Sequence, residues 1–378
     1  MGRIDVTETD SPDLHEEWIQ AIRATLLRWY DLEHRPLPWR GERDPYRVLV
    51  SEMMLIQTTV AAVVPYYERF LERFPSVEQL AEASEDEVLK VWEGLGYYRR
   101  ARQLHAAAKT VVQEHEGTFP AEVERLLKLP GVGRYIAGAV ASFAFDQPAP
   151  ILEANTQRVV ARWLAWTEPL SSPRSQRRLW QAAERVVPAI RPGAFNQAFM
   201  DLGALVCSPR QPRCLTCPVR ELCRAVALGR QDQLPVKTDR PTTQLVNEAC
   251  VLVQQQDRIL LVQRPPDGLW AGFWELPTIH LSGPDPARRG TCPDLASRVR
   301  DLTGLDITIG KACATARFPV TRYQVHSTCH ECQLRDSIPQ LTPSPEICQF
   351  AMLMEIAELP LTAPTRQFLR QRPGQDQE

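Results

Sequence analysis

No stretch of the 378 residues is apolar for long enough to cross a bilayer, and the first thirty residues lack the order of a secretory signal. Both absences lead us to expect a chain inside the cell, in the cytoplasmic space, with no membrane partner. The spacing of a disulfide framework is missing too. The ten cysteines are scattered through a large chain except for one group of four, so the other six read as reduced, mostly buried thiols. No internal repeat is visible either. The chain also lacks a large net charge, its formal value being −2, so it is not basic over its whole surface. What it has instead is local. Residues 90–230 hold 20 Lys and Arg against 11 Asp and Glu, the footprint of a nucleic-acid-binding face or of a solvated basic one. With 44% hydrophobic and 24% charged residues, the length suffices for two buried cores.

Residues 1–12 are polar and read as a disordered tail, as do 371–378. From Asp13 onward Trp18, Ile22, Leu26 and Trp29 recur at helical spacing, which predicts an amphipathic helix that buries its tryptophans. Asp44 followed by Pro45 is a cap and first-turn signature. On the helix it opens, Glu52 shares a face with Val48 and Leu55, and burial among such neighbours raises a carboxyl pKa. Ser76 with Gln79 and Ser84 with Glu87 predict two short capped helices. The second ends at Gly94-Leu95-Gly96, leaving Tyr97 and Tyr98 at a corner before a basic helix, Arg99 to His115, where exposed rings suit stacking on bases. Further helices are expected at 121–128, 134–145, 173–187 and 194–206. Residues 13–228 therefore read as all-helical, 229–245 as a linker, and 246–370 as an α+β domain with β-branched runs at 250–253, 259–262, 307–309 and 323–328.

The densest signals lie in the middle. Leu129-Pro-Gly-Val-Gly cannot continue a helix, but it can turn its amides outward at Gly131 and Gly133 to cradle a phosphate. Glu153 follows the proline-rich loop 147–150, beside Asn155, where a new helix starts; by itself such a carboxylate is usually a cap. Cys207, Cys214, Cys217 and Cys223 then form C-x6-C-x2-C-x5-C, a spacing that can enclose an iron–sulfide cubane. A second C-x2-C, Cys329 and Cys332 with His326 and His330 nearby, falls in a strand region and is weak as a zinc motif.

Helix-hairpin-helix, acidic residue and cysteine loop in this order resemble the endonuclease III superfamily. Leu37-Pro38-Trp39-Arg40, Ser51 to Thr58, Trp92 to Tyr98, Leu129 to Ala139 and Phe195 to Cys207 narrow the resemblance to adenine DNA glycosylases of the MutY type, with Gln263 to Pro277 resembling their C-terminal Nudix-like domain. The resemblance covers nearly the whole chain. It implies a helix-hairpin-helix glycosylase domain with a 4Fe-4S cluster on the four cysteines, followed by a Nudix-like domain that reads the lesion. It further implies a monomer acting on double-stranded DNA that carries adenine opposite 8-oxoguanine or guanine.

Carried over residue by residue, the resemblance makes Glu52 the proton donor, Glu153 the counter-charge to the sugar cation and Asn155 a residue that orients them. Two carboxylates also suit an oxocarbenium-like transition state on chemical grounds. Tyr135 stands where bifunctional relatives place a lysine, so no strand-cleaving Schiff base is expected. Trp39, Arg40 and Gln197 would contact the flipped adenine, Gln57 with Tyr97 or Tyr98 would enter the base stack, and Gly131 and Gly133 would meet phosphates. Thr321 and Arg322 align with the lesion-reading loop.

The chain departs from the pattern where Glu153-Ala154-Asn155 replaces Asp-Gly-Asn, where Ile56 precedes Gln57 in place of a second glutamine, and in the reading loop itself. The helix of the second domain offers only Asp301 where a Nudix hydrolase clusters glutamates for magnesium, so nucleotide hydrolysis is not expected. Two other functions stay open at this stage: a related glycosylase for another base, and a lesion-binding protein weakened by Glu153.

Overall fold

The computed structural model describes residues 14–236, 242–265, 268–284, 294–334 and 347–371. The expected tails, apart from Gln371, and part of the expected linker lie outside these residues. The chain divides into two compact units, Met1–Ala83 with Arg99–Asp239, and Ser84–Tyr98 with Arg240–Glu378.

Among the described residues, the first 236 form helices and turns only. In chain order the α-helices are α1 (Glu16–Glu33), α2 (Pro45–Leu55), α3 (Val60–Arg73), α4 (Val77–Glu82), α5 (Glu85–Trp92), α6 (Arg99–His115), α7 (Val123–Leu126), α8 (Arg134–Phe145), α9 (Ala154–Trp163), α10 (Pro173–Val186), α11 (Pro192–Asp201), continued by a π-helical turn (Leu202–Val206), and α12 (Arg224–Ala227). Of these, α5 and the corner after it belong to the second unit.

Local chemistry sets the boundaries. Asp44 accepts from the Tyr46 N–H at 2.9 Å and Pro45 fills the first turn of α2. Ser84 and Glu87 form the reciprocal capping box of α5, whereas Ser76 caps α4 with the serine half alone. The tryptophan expectation for α1 needs correction. Its buried stripe is Ile19, Ile22, Leu26 and Tyr30, while Trp18 and Trp29 are half-buried. An indole brings an N–H that needs an acceptor, and Trp18 finds one at the margin in the Leu222 carbonyl, 2.8 Å away.

Two glycines permit the geometry around the centre. Gly131 turns the α7–α8 corner at φ +74°, which a side chain would resist. A Cβ on Gly138 would stand 2.1 Å from the Pro150 carbonyl oxygen, so only glycine lets the loop that delivers Glu153 cross α8 this closely.

The second unit contains two sheets. One has strand order β5-β1-β7-β6, from β1 (Gln244–Leu252), β5 (Thr278–Ser282), β6 (Ile307–Val320) and β7 (Tyr323–Leu334). The other joins β2 (Gln254–Gln255), β3 (Arg258–Gln263), β4 (Trp274–Glu275) and β8 (Cys348–Met352). β1 and β7 pair in parallel, and β6 and β7 form an antiparallel hairpin. The helices α13 (Leu295–Thr303), α14 (Leu353–Ile356) and α15 (Ala363–Arg370) complete the unit.

Apolar side chains are buried in two clusters. Cys250, Trp274, Cys329 and Phe368 are in one; Val251, Leu260, Val299 and Leu305 are in the other, with Cys332 packed against it. Cys329 and Cys332 therefore point to opposite faces, as strand alternation requires of residues three apart, and the C-x2-C cannot act as one metal clamp.

Candidate active site

A cavity of about 550 Å³ in the first unit gathers residues from distant parts of the sequence. Trp39, Arg40, Glu52, Gln57, Gly131, Gly133, Tyr135, Glu153, Asn155 and Gln197 all line it.

Glu52 sits on α2 with 2% exposure, and burial pushes its carboxyl up to about 7. A hydrogen bond from Tyr135 and the charge of Arg40 oppose that shift, while the charge of Glu153 adds to it. Tyr135, at the start of α8, donates its hydroxyl to Glu52 Oε2 at 2.5 Å, and its own pKa rises well above the usual phenol value, first from burial and then from the Glu52 charge. The tyrosine therefore stays neutral beside the carboxyl and fixes one of its oxygens.

Glu153 has the opposite environment. It is the N-cap of α9, where Oε1 accepts from the Thr156 N–H at 3.0 Å and Oε2 from the Asn155 N–H at 2.8 Å and side-chain amide at 3.2 Å. Thr156 completes the box in return, its hydroxyl oxygen accepting from the Glu153 N–H. The extra methylene relative to aspartate is taken up by this fold-back, and the helix dipole favours a negative charge at that end. Asn155 is fixed in turn: its Oδ1 accepts from Arg158, which also donates to the Gly203 and Cys207 carbonyls.

Several residues of the site carry no local sequence signal. Asp201, fully buried, accepts from both Arg35 and Arg40 and ties Arg40 to the cavity wall. Arg40 Nε is buried without a protein partner. Tyr30 holds Gln197 through a 2.5 Å bond to Oε1. Arg100, on the basic helix α6, is 6% exposed and donates to the carbonyls of Met53, Met54 and Ile56, closing the C-terminus of α2. Gln57 comes next, exposed and at φ +57°, a left-handed position that this anchoring supports.

The remaining candidates lie elsewhere. Tyr97 and Tyr98 are in the second unit; Tyr97 is exposed at φ +50°, and the Tyr98 ring packs on Phe273 at 4.1 Å. Thr321 and Arg322 form the two-residue tip of the β6–β7 hairpin, Thr321 at φ +52° and Arg322 donating to the Tyr323 hydroxyl. At the hairpin corner no side chain caps α8, which leaves its first-turn N–H groups for solvent or an anion.

Cys207, Cys214, Cys217 and Cys223 line one small hollow with Arg162. Arg162 is 1% exposed, donates to the Cys207 sulfur at 3.1 Å and keeps Nη2 buried without a partner. A buried cation beside four thiols fits a negatively charged thiolate-bound group. Among the described residues, no cluster of three or more His, Cys, Asp or Glu is arranged to hold a metal ion. None of their helices is long and apolar enough to cross a membrane.

Comparison with known proteins follows the same lines. Residues 50–185 match the HhH-GPD superfamily of base excision DNA repair proteins, and residues 248–371 match the NUDIX domain. The adenine DNA glycosylase of Mus musculus is 40% identical, with 70% of this chain and 61% of that protein covered. That of Buchnera aphidicola (subspecies Schizaphis graminum) is 33% identical, with 68% of this chain and 75% of that protein covered. A thermostable thymine-DNA glycosylase of known structure superposes with a TM-score of 0.52 at 30% identity, over 57% of this chain and all of that one. The chain spans about three-fifths of the length of its mouse relative.

Proposed function

The chain belongs to the adenine DNA glycosylase family, and on that premise we propose that it hydrolyses the N-glycosidic bond of adenine paired with 8-oxoguanine or guanine in duplex DNA. One observation carries the reading: a buried carboxyl held near neutrality shares a cavity with a second carboxylate on a helix N-terminus. A flipped adenine enters between Trp39, Arg40 and Gln197. Glu52 gives its proton to a ring nitrogen, the bond from sugar to base breaks with its electron pair leaving on the base, and the resulting cation is stabilised by Glu153. Glu52, now ionised, takes a proton from the attacking water.

Asn155 orients Glu153, and Tyr135 holds Glu52 without offering an amine, so the enzyme is monofunctional. Gln57 and the Tyr97–Tyr98 corner engage the opened stack, and Gly131 and Gly133 meet the backbone phosphates. It acts as a monomer on DNA inside the cell. The test is a panel of duplexes with adenine opposite 8-oxoguanine, adenine opposite guanine, and damaged pyrimidines. Breaks at the two adenine sites after alkali are expected; breaks without alkali, or at pyrimidines instead, would contradict the reading.

Cys207, Cys214, Cys217 and Cys223 would hold a 4Fe-4S cluster, whose iron neutralises the thiolates and cross-links the loop. Cys217→Ser is expected to lose iron and DNA affinity together, measured by metal analysis and by duplex titration. An iron-free native protein with full affinity would contradict the assignment.

The Thr321–Arg322 tip reads the base opposite adenine, with the threonine hydroxyl donating or accepting and the guanidinium addressing an O6/N7 edge. Replacing both by alanine is expected to leave excision opposite guanine within about threefold and to reduce the 8-oxoguanine preference by about tenfold, the worth of one good polar contact. Unchanged discrimination would remove the tip from recognition.

A further inference from the structure

Three thiols of the second unit meet on one face of its sheet. Cys250 on β1 and Cys329 on β7 are direct register partners, 2% and 1% exposed. Cys313 on β6 reaches the same place by an irregularity. Ala312 pairs with His330 and Ala314 with Cys329, so Cys313 is the extra residue of a bulge. A bulge re-aims side chains that strict alternation would send to the other face. Here Cys313 donates from Sγ to the Cys329 carbonyl at 3.4 Å while staying exposed to solvent.

Charge is shared within the trio. Hydrogen bonding from Cys250 first, and from Cys313 after burial has opposed it, holds the Cys329 thiol below its ordinary value; Cys250 is pushed well above, first by its bond to Cys329. Burial, then the Cys329 charge, raises Cys313 to about 11. The negative charge of the trio therefore favours Cys329, a ready resolving nucleophile, while Cys313 is the sulfur that solvent can reach.

We propose that Cys313 and Cys329 form a peroxide-responsive thiol pair that closes to a disulfide across the β6–β7 hairpin. The Cys313 sulfur attacks one oxygen of hydrogen peroxide as its proton passes to solvent; the O–O bond breaks and hydroxide leaves, becoming water on protonation, with a sulfenic acid on Cys313. The Cys329 sulfur then attacks that sulfur, the S–O bond breaks, and the hydroxide takes the Cys329 proton and departs as a second water. Two thiols and one peroxide give one disulfide and two waters, with two electrons passing from sulfur to oxygen. Adjacent strands bring cysteine Cα atoms into the range a disulfide spans. The bridge ties the middle of the hairpin whose tip is Thr321–Arg322. Cys250, directly opposite Cys329 but sealed in the core, serves as a hydrogen-bond donor and not as the oxidant-facing thiol.

The experiment treats the full-length protein with hydrogen peroxide, alkylates the remaining thiols and maps unreduced peptides by mass spectrometry. A peptide pair linked through Cys313 and Cys329 is expected, released by dithiothreitol, lost in Cys313→Ala and in Cys329→Ala, and kept in Cys250→Ala. A Cys250–Cys329 link with Cys313 free, a sulfinic or sulfonic Cys313 beside an alkylated Cys329, or full alkylation of both thiols would overturn it.

Discussion

Glu52→Gln is expected to lower adenine excision by about a thousandfold or more while duplex binding changes little, because positioned acid–base groups contribute roughly 10²–10⁴-fold. The glutamine keeps the shape of the buried side chain and can still accept from Tyr135, so the cavity wall survives. What it lacks is a proton to give the departing base and a carboxylate to activate the water. Single-turnover excision and equilibrium titration on the same duplex separate the two effects. Excision within about tenfold of native would end the role of Glu52 as acid, a loss far below the usual range for such a group.

Glu153→Gln removes a charge without removing a cap. Its amide oxygen can still accept from a first-turn N–H of α9, so folding should be preserved, whereas the sugar cation loses its counter-charge. A loss of at least about a hundredfold is expected, on the scale of deleting one preorganised electrostatic partner of a transition state. Glu153→Asp should differ. Aspartate is among the preferred N-cap residues, and its shorter stem reaches the same N–H groups without folding back, so the variant is expected to stay within about tenfold of native or to exceed it. Equal activity in native and Glu153→Gln chains would mean that this carboxylate serves as a cap alone.

How far the sequence foretold this site depends on the range of the interaction. The Asp44 cap, the proline at the start of α2 and the Leu129-Pro-Gly-Val-Gly turn act within a few residues, and they placed α2 and α8 closely. The apolar face of Glu52 was likewise local, and its burial followed. Asp201 holding Arg40, Tyr30 holding Gln197 and Arg100 capping α2 span 44 to 167 positions, and no spacing rule links such residues. Glu153 was legible as a helix-starting carboxylate, but its fold-back onto both Asn155 and Thr156 depends on backbone geometry. In the second unit, β-branched runs marked where β1, β3, β6 and β7 begin or pass. They did not mark the bulge at Cys313, which arises from register between two strands. Nor did they mark β4, a two-residue strand fixed by its pairing with β3.

Excision requires Glu52 to be protonated when adenine arrives, and the pH dependence of the chemical step tests this most directly. Burial raises its pKa to about 7, so the protonated acid prevails below that value and is lost above it. Single-turnover excision opposite 8-oxoguanine, measured from about pH 5 to about pH 9, is expected to fall by about tenfold per unit once pH exceeds the pKa of the essential acid. The descending limb should begin near 7 and be absent from the residual activity of Glu52→Gln. A rate that holds level through the alkaline range, or one that falls in parallel in native and variant chains, would contradict the account.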